Sequence, residues 1–247
     1  MQGLLLAQSG DVAEVQPPSV EAPVVTPVVT PVVAPPPGHA ILPGDPGSTQ
    51  DKRIAGILPN YRTADSTMPF APLTVAQKWR IATKDTFDYP SYVLAAAFAG
   101  LSQLNNSNSN FGQGAQGYAK RYAAGIADQD IGNFMTEAIY PTLLHEDPRY
   151  FRKVNGSVKS RLGWAVGRIF VTKNDSGRSE FNFSEWLGNG TVAAIGNLYY
   201  PNERGFGSTA QRALSQIGTD TISDCLKEFW PDLKKHWLHK KSTANAD

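Results

Sequence analysis

A single cysteine, Cys225, in 247 residues excludes an internal disulfide framework and a zinc site built on thiolates. Histidine is also scarce, at four. Charged residues form 18% of the chain, against a usual share of about 25%. Their signs nearly cancel, 23 Lys and Arg against 22 Asp and Glu, for a net charge of +1. That balance removes whole-chain attraction to nucleic acid, and no nucleic-acid partner is expected. No apolar run reaches the roughly 20 residues of a spanning helix; 92–104 and 162–171 fall short, and Arg168 interrupts the second. There is no G-x-S-x-G, no H-E-x-x-H and no P-loop.

The first fifty residues contain no Lys or Arg, only the acids Asp11, Glu14, Glu21 and Asp45. From Pro17 to Pro46 they are dominated by Pro, Val and Thr. Proline fixes φ and removes a backbone donor, so this stretch reads as an extended spacer rather than a helix or central strand. Residues 1–9, MQGLLLAQS, lack the basic start and the apolar length of a secretory signal, and read as the tail of one whose beginning is missing. The expectation for 1–52 is a signal remnant and disordered Pro-rich tether. The expected location is the cell envelope or periplasm, with the cytoplasm as alternative.

From residue 53 to 241 the composition predicts one domain, mainly α, a compact helical bundle, with 242–247 a disordered tail. Thr74 and Gln77 form a capping box opening a helix to about Asp85. Pro90 suits the first turn of a helix reaching Leu104. A long helix from about Gly114 to Tyr140 is predicted to stop at Pro141. Asp147-Pro148 is predicted to start a short helix through Arg152. Further helices are expected over 157–171, over 184–200 with Ser184 as cap, and over 208–230 with Pro231 interrupting. The run 54–63 reads as a strand or docking arm. Gly163 and Gly167 form a GxxxG pair, the pattern of close helix approach.

Two stretches look alike. Phe111-Gly112-x-x-Ala115-Gln116 recurs as Phe206-Gly207-x-x-Ala210-Gln211, an offset of 95, and Ile126 to Glu137 matches Ile217 to Glu228 at an offset of 91. This predicts pseudo-symmetric helix-loop-helix halves over 87–141 and 183–231.

For chemistry, His145, Glu146 and Asp147 place an imidazole beside two carboxyls, the residue types of acid–base work or metal binding. Neighbouring side chains on a helix do not face each other, so capping and ion pairing compete with that reading. Glu137, Asp224 and Glu228 are the candidate metal ligands, with Asn133 beside them at the pseudo-axis. Salt bridges to Arg161 and Arg168 are the bland use of the same acids. Gly112 to Gly117 fits GxGxxG, with no strand before it, so a generic anion pocket competes with a flexible start to the next helix. Cys225 beside Asp224 is expected to be inert. Trp164 and Trp186 suggest an apolar pocket or plain core. The basic stretch 234–241 is by default a solvated C-terminus, with contact to anionic lipid or nucleic acid as the alternatives. No cofactor is indicated.

The strings ILPNYRT (57–63), GYAKRYAAGIADQD (117–130), LLHEDPRYFR (143–152) and SGRSEFNFSEW (176–186) resemble a set of bacterial proteins with no assigned activity, predicted to be exported. The resemblance spans about 54–233 and implies export. With no nucleophile constellation, the expectation is a non-catalytic envelope domain, tethered or membrane-associated, that binds a protein or lipid partner. The alternative is an enzyme or metal protein using the acidic helices with His145.

Overall fold

A computed structural model describes residues 40–43, 48, 50–200 and 204–244, with side chains through 236. The tether, the signal remnant and the end of the tail lie outside the described residues. The described chain is mainly α. Short strands come first: β1 (Arg53–Ile54) pairs antiparallel with β2 (Leu58–Pro59), and β3 (Thr63–Asp65) follows.

Helix α1 (Val75–Thr86) carries the expected capping box: Gln77 N donates to Thr74 Oγ1 at 3.2 Å, and Thr74 N to Gln77 Oε1 at 3.0 Å. Helix α2 (Tyr89–Leu104) holds Pro90 in its first turn. Helix α3 (Gly114–Asn133) continues into a π-helical turn, Phe134–Ile139, and then α4 (Tyr140–Leu143). Pro141 therefore does not stop this helix. Its missing N–H and its ring disrupt the bond to Glu137, four residues back. A π turn, which bonds to the fifth residue back, accommodates the defect. At the end of α4 the Lys78 ammonium donates to Pro141 O at 3.0 Å.

The short helix expected at 147–152 is absent. Glu146–Asp147 (β4) and Tyr150–Arg152 (β5) are strands. Asp147 is turned onto Arg149, accepting from its backbone N at 3.0 Å and its Nε at 2.9 Å, so it caps nothing. Helix α5 (Val158–Gly167) is capped by Ser157 and ends early, giving way to β6 (Val171–Asn174) and β7 (Ser179–Phe181). Strands β4, β6 and β7 form one antiparallel sheet, and β3 pairs in parallel with β5. Helix α6 (Phe183–Gly196) is capped by Asn182, not Ser184, and α7 (Phe206–Ala244) runs through Pro231.

The bundle packs α2 on α3, α6 on α7, and the π turn on both α1 and α6. Glycine marks the tightest of these contacts. A Cβ on Gly188 would meet Thr136 Cγ2 at 2.5 Å, so α6 reaches the π turn only through a glycine. The GxxxG pair does not behave this way, since nothing lies within 4 Å of a Cβ on Gly163 or Gly167. The apolar clusters are small: Ala40, Leu42, Leu73 and Ile81 in one, Phe111, Ala124 and Tyr200 in another. Charged side chains fill much of the remaining interior, including Lys78, Arg121, Glu137, Glu146, Asp147 and Glu228.

Candidate functional site

The helix order brings acids from four elements to one place. Asp85 sits at the end of α1, Glu137 in the π turn, Glu185 in the first turn of α6, and Asp220 and Asp224 on α7. Arg62, just before β3, lies among them: its Nε is 3.5 Å from Glu137 Oε1 and its Nη2 3.7 Å from Asp220 Oδ1. Lys227 Nζ donates to Asp224 Oδ1 at 3.1 Å. The cluster thus has five carboxyls, Asp85, Glu137, Glu185, Asp220 and Asp224, against two cations, Arg62 and Lys227.

Such an excess of buried negative charge is relieved by protons. Burial, then the adjacent Asp85 carboxyl, push Glu137 well above its ordinary value of 4.5, against the pull of Arg62 and Lys227. Burial raises Asp85 as well, and the two carboxyls hydrogen-bond one another. Glu185 is raised in the same way, by burial and then by Asp220, while Asn189 Nδ2 donates to its Oε1 at 3.0 Å. Two carboxyl pairs, Asp85–Glu137 and Glu185–Asp220, thus lie within hydrogen-bonding reach of each other.

The first pair opens onto a cleft of about 440 Å³, within the roughly 300–1,000 Å³ of small-molecule sites. Its floor includes Arg62, Asp85, Glu137, Asp220 and Lys227. Apolar side chains of Leu58, Leu94, Phe98 and Phe111 line the rest together with Arg121 and the polar Ser91, Gln129 and Asn133. Asp85 is 6% exposed and Glu137 2%. Asp85 Oδ1 and Glu137 Oε2 meet no N–H or hydroxyl donor of the protein.

Helix α2 forms one wall and contains no charged residue. Its outward positions are apolar as well: Val93 is 66% exposed, Phe98 66%, Leu101 52% and Leu104 82%. A surface helix is ordinarily polar on that side.

The structure separates His145, Glu146 and Asp147 rather than joining them. The His145 side chain is 82% exposed, with Nδ1 3.8 Å from Asp175, and its φ is 57°. Glu146 accepts from Phe183 N at 3.1 Å and Ser184 N at 2.8 Å, holding the start of α6. Of the metal candidates, Glu137 and Asp224 both belong to the Arg62 cluster. Glu228 is consumed elsewhere, accepting from Tyr150 Oη at 2.8 Å, Lys153 N at 2.9 Å, Val154 N at 3.3 Å and Arg161 Nε at 2.7 Å. Among the described residues no group of three or more His, Cys, Asp or Glu is placed to hold a metal ion.

Arg161 pairs with Glu228 as the stripe reading expected. Arg168 instead stacks its guanidinium 5.1 Å from the Trp164 ring centroid, and burial lowers its pKa. The GxGxxG loop is no anion cradle: Arg121 occupies it, donating to Gly112 O at 2.7 Å and to Ser107 O at 2.9 Å and 2.7 Å. Trp164 and Trp186 donate to Phe151 O and Ile169 O and do not line the cleft. Burial, then Asp224 and Glu228, push the Cys225 thiol up, away from the reactive thiolate.

Sequence reasoning missed Arg62, Asp85, Glu185 and Lys227. The only signal available was that α1 and α6 each carry an isolated acid on an otherwise inward face. Comparison with protein-family models, with curated proteins and with solved structures found no match.

Proposed function

We propose that this domain is a non-catalytic binding module of the cell envelope that associates with a lipid surface through α2 and takes an amphiphilic partner in the cleft behind it. The observation that carries this reading is α2 itself. One side of an uncharged helix is presented outward with Val93, Phe98, Leu101 and Leu104, and the other lines a cleft with a charged floor. Phe98 belongs to both surfaces and forms the lip between them. No helix among the described residues is long and apolar enough to cross a membrane, so the reading is attachment at the interface, with apolar side chains in the acyl boundary. The export resemblance and the Pro/Val/Thr stretch support the location.

Vesicle flotation tests it. The full chain is expected to float with phosphatidylethanolamine–phosphatidylglycerol vesicles, and Leu101→Asp to remain at the bottom with an unchanged circular-dichroism spectrum. Wild type staying in the soluble fraction, or the variant floating equally well, would sink the idea. Acid–base chemistry drawing on His145 has less support, because that side chain is exposed and outside the cleft lining.

The duplication belongs to the same reading. In each half an uncharged or nearly uncharged helix precedes a Gly-containing loop and a long helix. Gly100 of α2 faces Tyr118 of α3, and Gly196 of α6 faces Arg212 of α7. On this view the cleft lies between two copies of one ancestral hairpin.

A further inference from the structure

Lys227 lines a second pocket besides the cleft, of about 310 Å³, where α7 meets β3, β5 and residues 50–51. The charged side chains lining it are the cations Arg152, Lys227, Lys234 and Lys235 and the acids Asp51 and Asp65. Lys227 is held by Asp224 at 3.1 Å, and Lys234 by both Asp51 oxygens at 2.8 Å. Trp230 Nε1 also donates to Asp51, at 3.1 Å, so that carboxyl is occupied. Arg152 is different. Its side chain is 13% exposed and faces Asp65, whose Oδ1 lies 3.6 Å from Nε, and its guanidinium makes no hydrogen bond to a described residue. Nε is sealed from solvent, so what the pocket meets is the pair of Nη groups. Lys235 has no acid partner among the described residues. With the Lys227–Asp224 pair set aside, Arg152, Lys234 and Lys235 outweigh Asp51 and Asp65 by one positive charge. The pocket also holds an unmatched acceptor, Gln50 Oε1, which is buried and meets no donor.

We propose that this pocket binds a phosphoglycerol unit, with the phosphate on the Arg152 fork and Lys235 and a glycerol hydroxyl on Gln50. Two Nη groups in one plane match two oxygens of a phosphate, a geometry that lysine does not offer. Lys235 adds a second charge from α7. An inorganic anion satisfies the cations but leaves Gln50 Oε1 buried without a donor, and an unmade buried hydrogen bond is costly. A hydroxyl carried beside the phosphate supplies that donor. A neutral polyol supplies it too, but leaves the fork without a counter-charge. No Leu, Ile, Val or Phe lines the pocket, and its volume is near the lower limit of small-molecule sites, so it suits a polar head group rather than an acyl chain.

The site stands apart from the cleft ligand and from the exposed face of α2. A phosphoglycerol unit exists in two forms, a soluble glycerol phosphate and the head group of phosphatidylglycerol, and both present the same phosphate and hydroxyls. Lys234 and Lys235 begin the basic stretch 234–241. The pocket therefore lies where a charged surface would deliver either form, and the two sources are separated by experiment.

The experiment is calorimetric titration of the full chain, at low ionic strength, with sn-glycerol 3-phosphate, inorganic phosphate and glycerol. Glycerol phosphate is expected to bind about threefold to tenfold more tightly than inorganic phosphate, the worth of one neutral hydrogen bond, and glycerol to give no heat. Arg152→Lys keeps the charge and removes the fork, and should weaken glycerol phosphate about tenfold to a hundredfold. Gln50→Leu should erase the difference between the two anions while leaving inorganic phosphate unchanged. Flotation with phosphatidylglycerol and with phosphatidylserine vesicles then separates the sources. A preference for phosphatidylglycerol that Arg152→Lys abolishes assigns the lipid head group; no preference between the lipids, together with glycerol phosphate binding, assigns the soluble ester. No heat with either anion, or an affinity for glycerol phosphate that survives Arg152→Lys, overturns the site. Inorganic phosphate binding as tightly as glycerol phosphate overturns the phosphoglycerol assignment. Leu101→Asp should leave the titration unchanged, so this site and the α2 reading fail separately. The comparison of the three ligands on wild type decides the matter even where a variant fails to fold.

Discussion

At the scale of single residues, the interior of this protein is organised by paired charge. Glu228 is fully buried and accepts four hydrogen bonds, one from Arg161. Arg161 also donates to the Glu228 carbonyl and to Asp232, and lies over the Phe229 ring. Removing one member of such a pair leaves an uncompensated charge in a medium that solvates it poorly. Arg161→Met is therefore expected to cost about 3–5 kcal/mol, read as a fall in the urea midpoint at constant slope. Arg161→Met combined with Glu228→Gln should recover part of that loss, because the stranded charge is gone. A single variant within 1 kcal/mol of wild type would mean that solvent reaches Glu228.

At the scale of elements, the strongest departures from pattern reading occur at proline and glycine. Pro141 and Pro231 look like stops because each removes a donor. Both lie within continued helices because packing on neighbouring elements holds those helices together. In the first case the cost is absorbed by the π turn that carries Glu137 into the cluster. Glycines separate similarly. Gly188→Ala is expected to destabilise by about 1–3 kcal/mol through overpacking against Thr136, whose hydroxyl is fixed on Gly132 O at 3.0 Å. Gly163→Ala, with open space around it, is expected to stabilise by roughly 0.5–1 kcal/mol through helix propensity. Thermal midpoints moving in opposite directions check both, and a loss at Gly163 would restore the GxxxG pair as a packing contact.

At the scale of the whole molecule, the buried acids set an unusual pH dependence. Burial first, then neighbouring acids, raise Glu137 and Glu185, and burial raises Asp85 and Asp128, the last against hydrogen bonds from Tyr199 and Tyr200. Above the ordinary carboxylate range the folded protein then holds protons that the unfolded chain has released. Stability is expected to fall as pH rises from the ordinary value of 4.5 toward the raised folded values. Asp51, although burial pushes it up, is held below its ordinary value by Lys234 and Trp230 and acts in the opposite sense. The urea midpoint should be higher at pH 5.5 than at pH 8, and Glu185→Gln should flatten the slope. A midpoint that climbs across that interval would show these acids ionised in the folded state.

The sequence by itself determined what depends on neighbours along the chain. The capping box at Thr74, the first-turn Pro90 and the mainly helical character follow from local bonding and periodicity. The pairing of Arg161 with Glu228 was also legible, as complementary stripes on two helices. What only the tertiary structure decided is which acids share one volume. Arg62, Asp85, Glu137 and Glu185 lie on separate elements, and no spacing rule links them. A carboxyl's burial, and hence its proton, depends on the helices that close over it. The same holds for α2, whose apolar outward face only the assembled bundle leaves exposed.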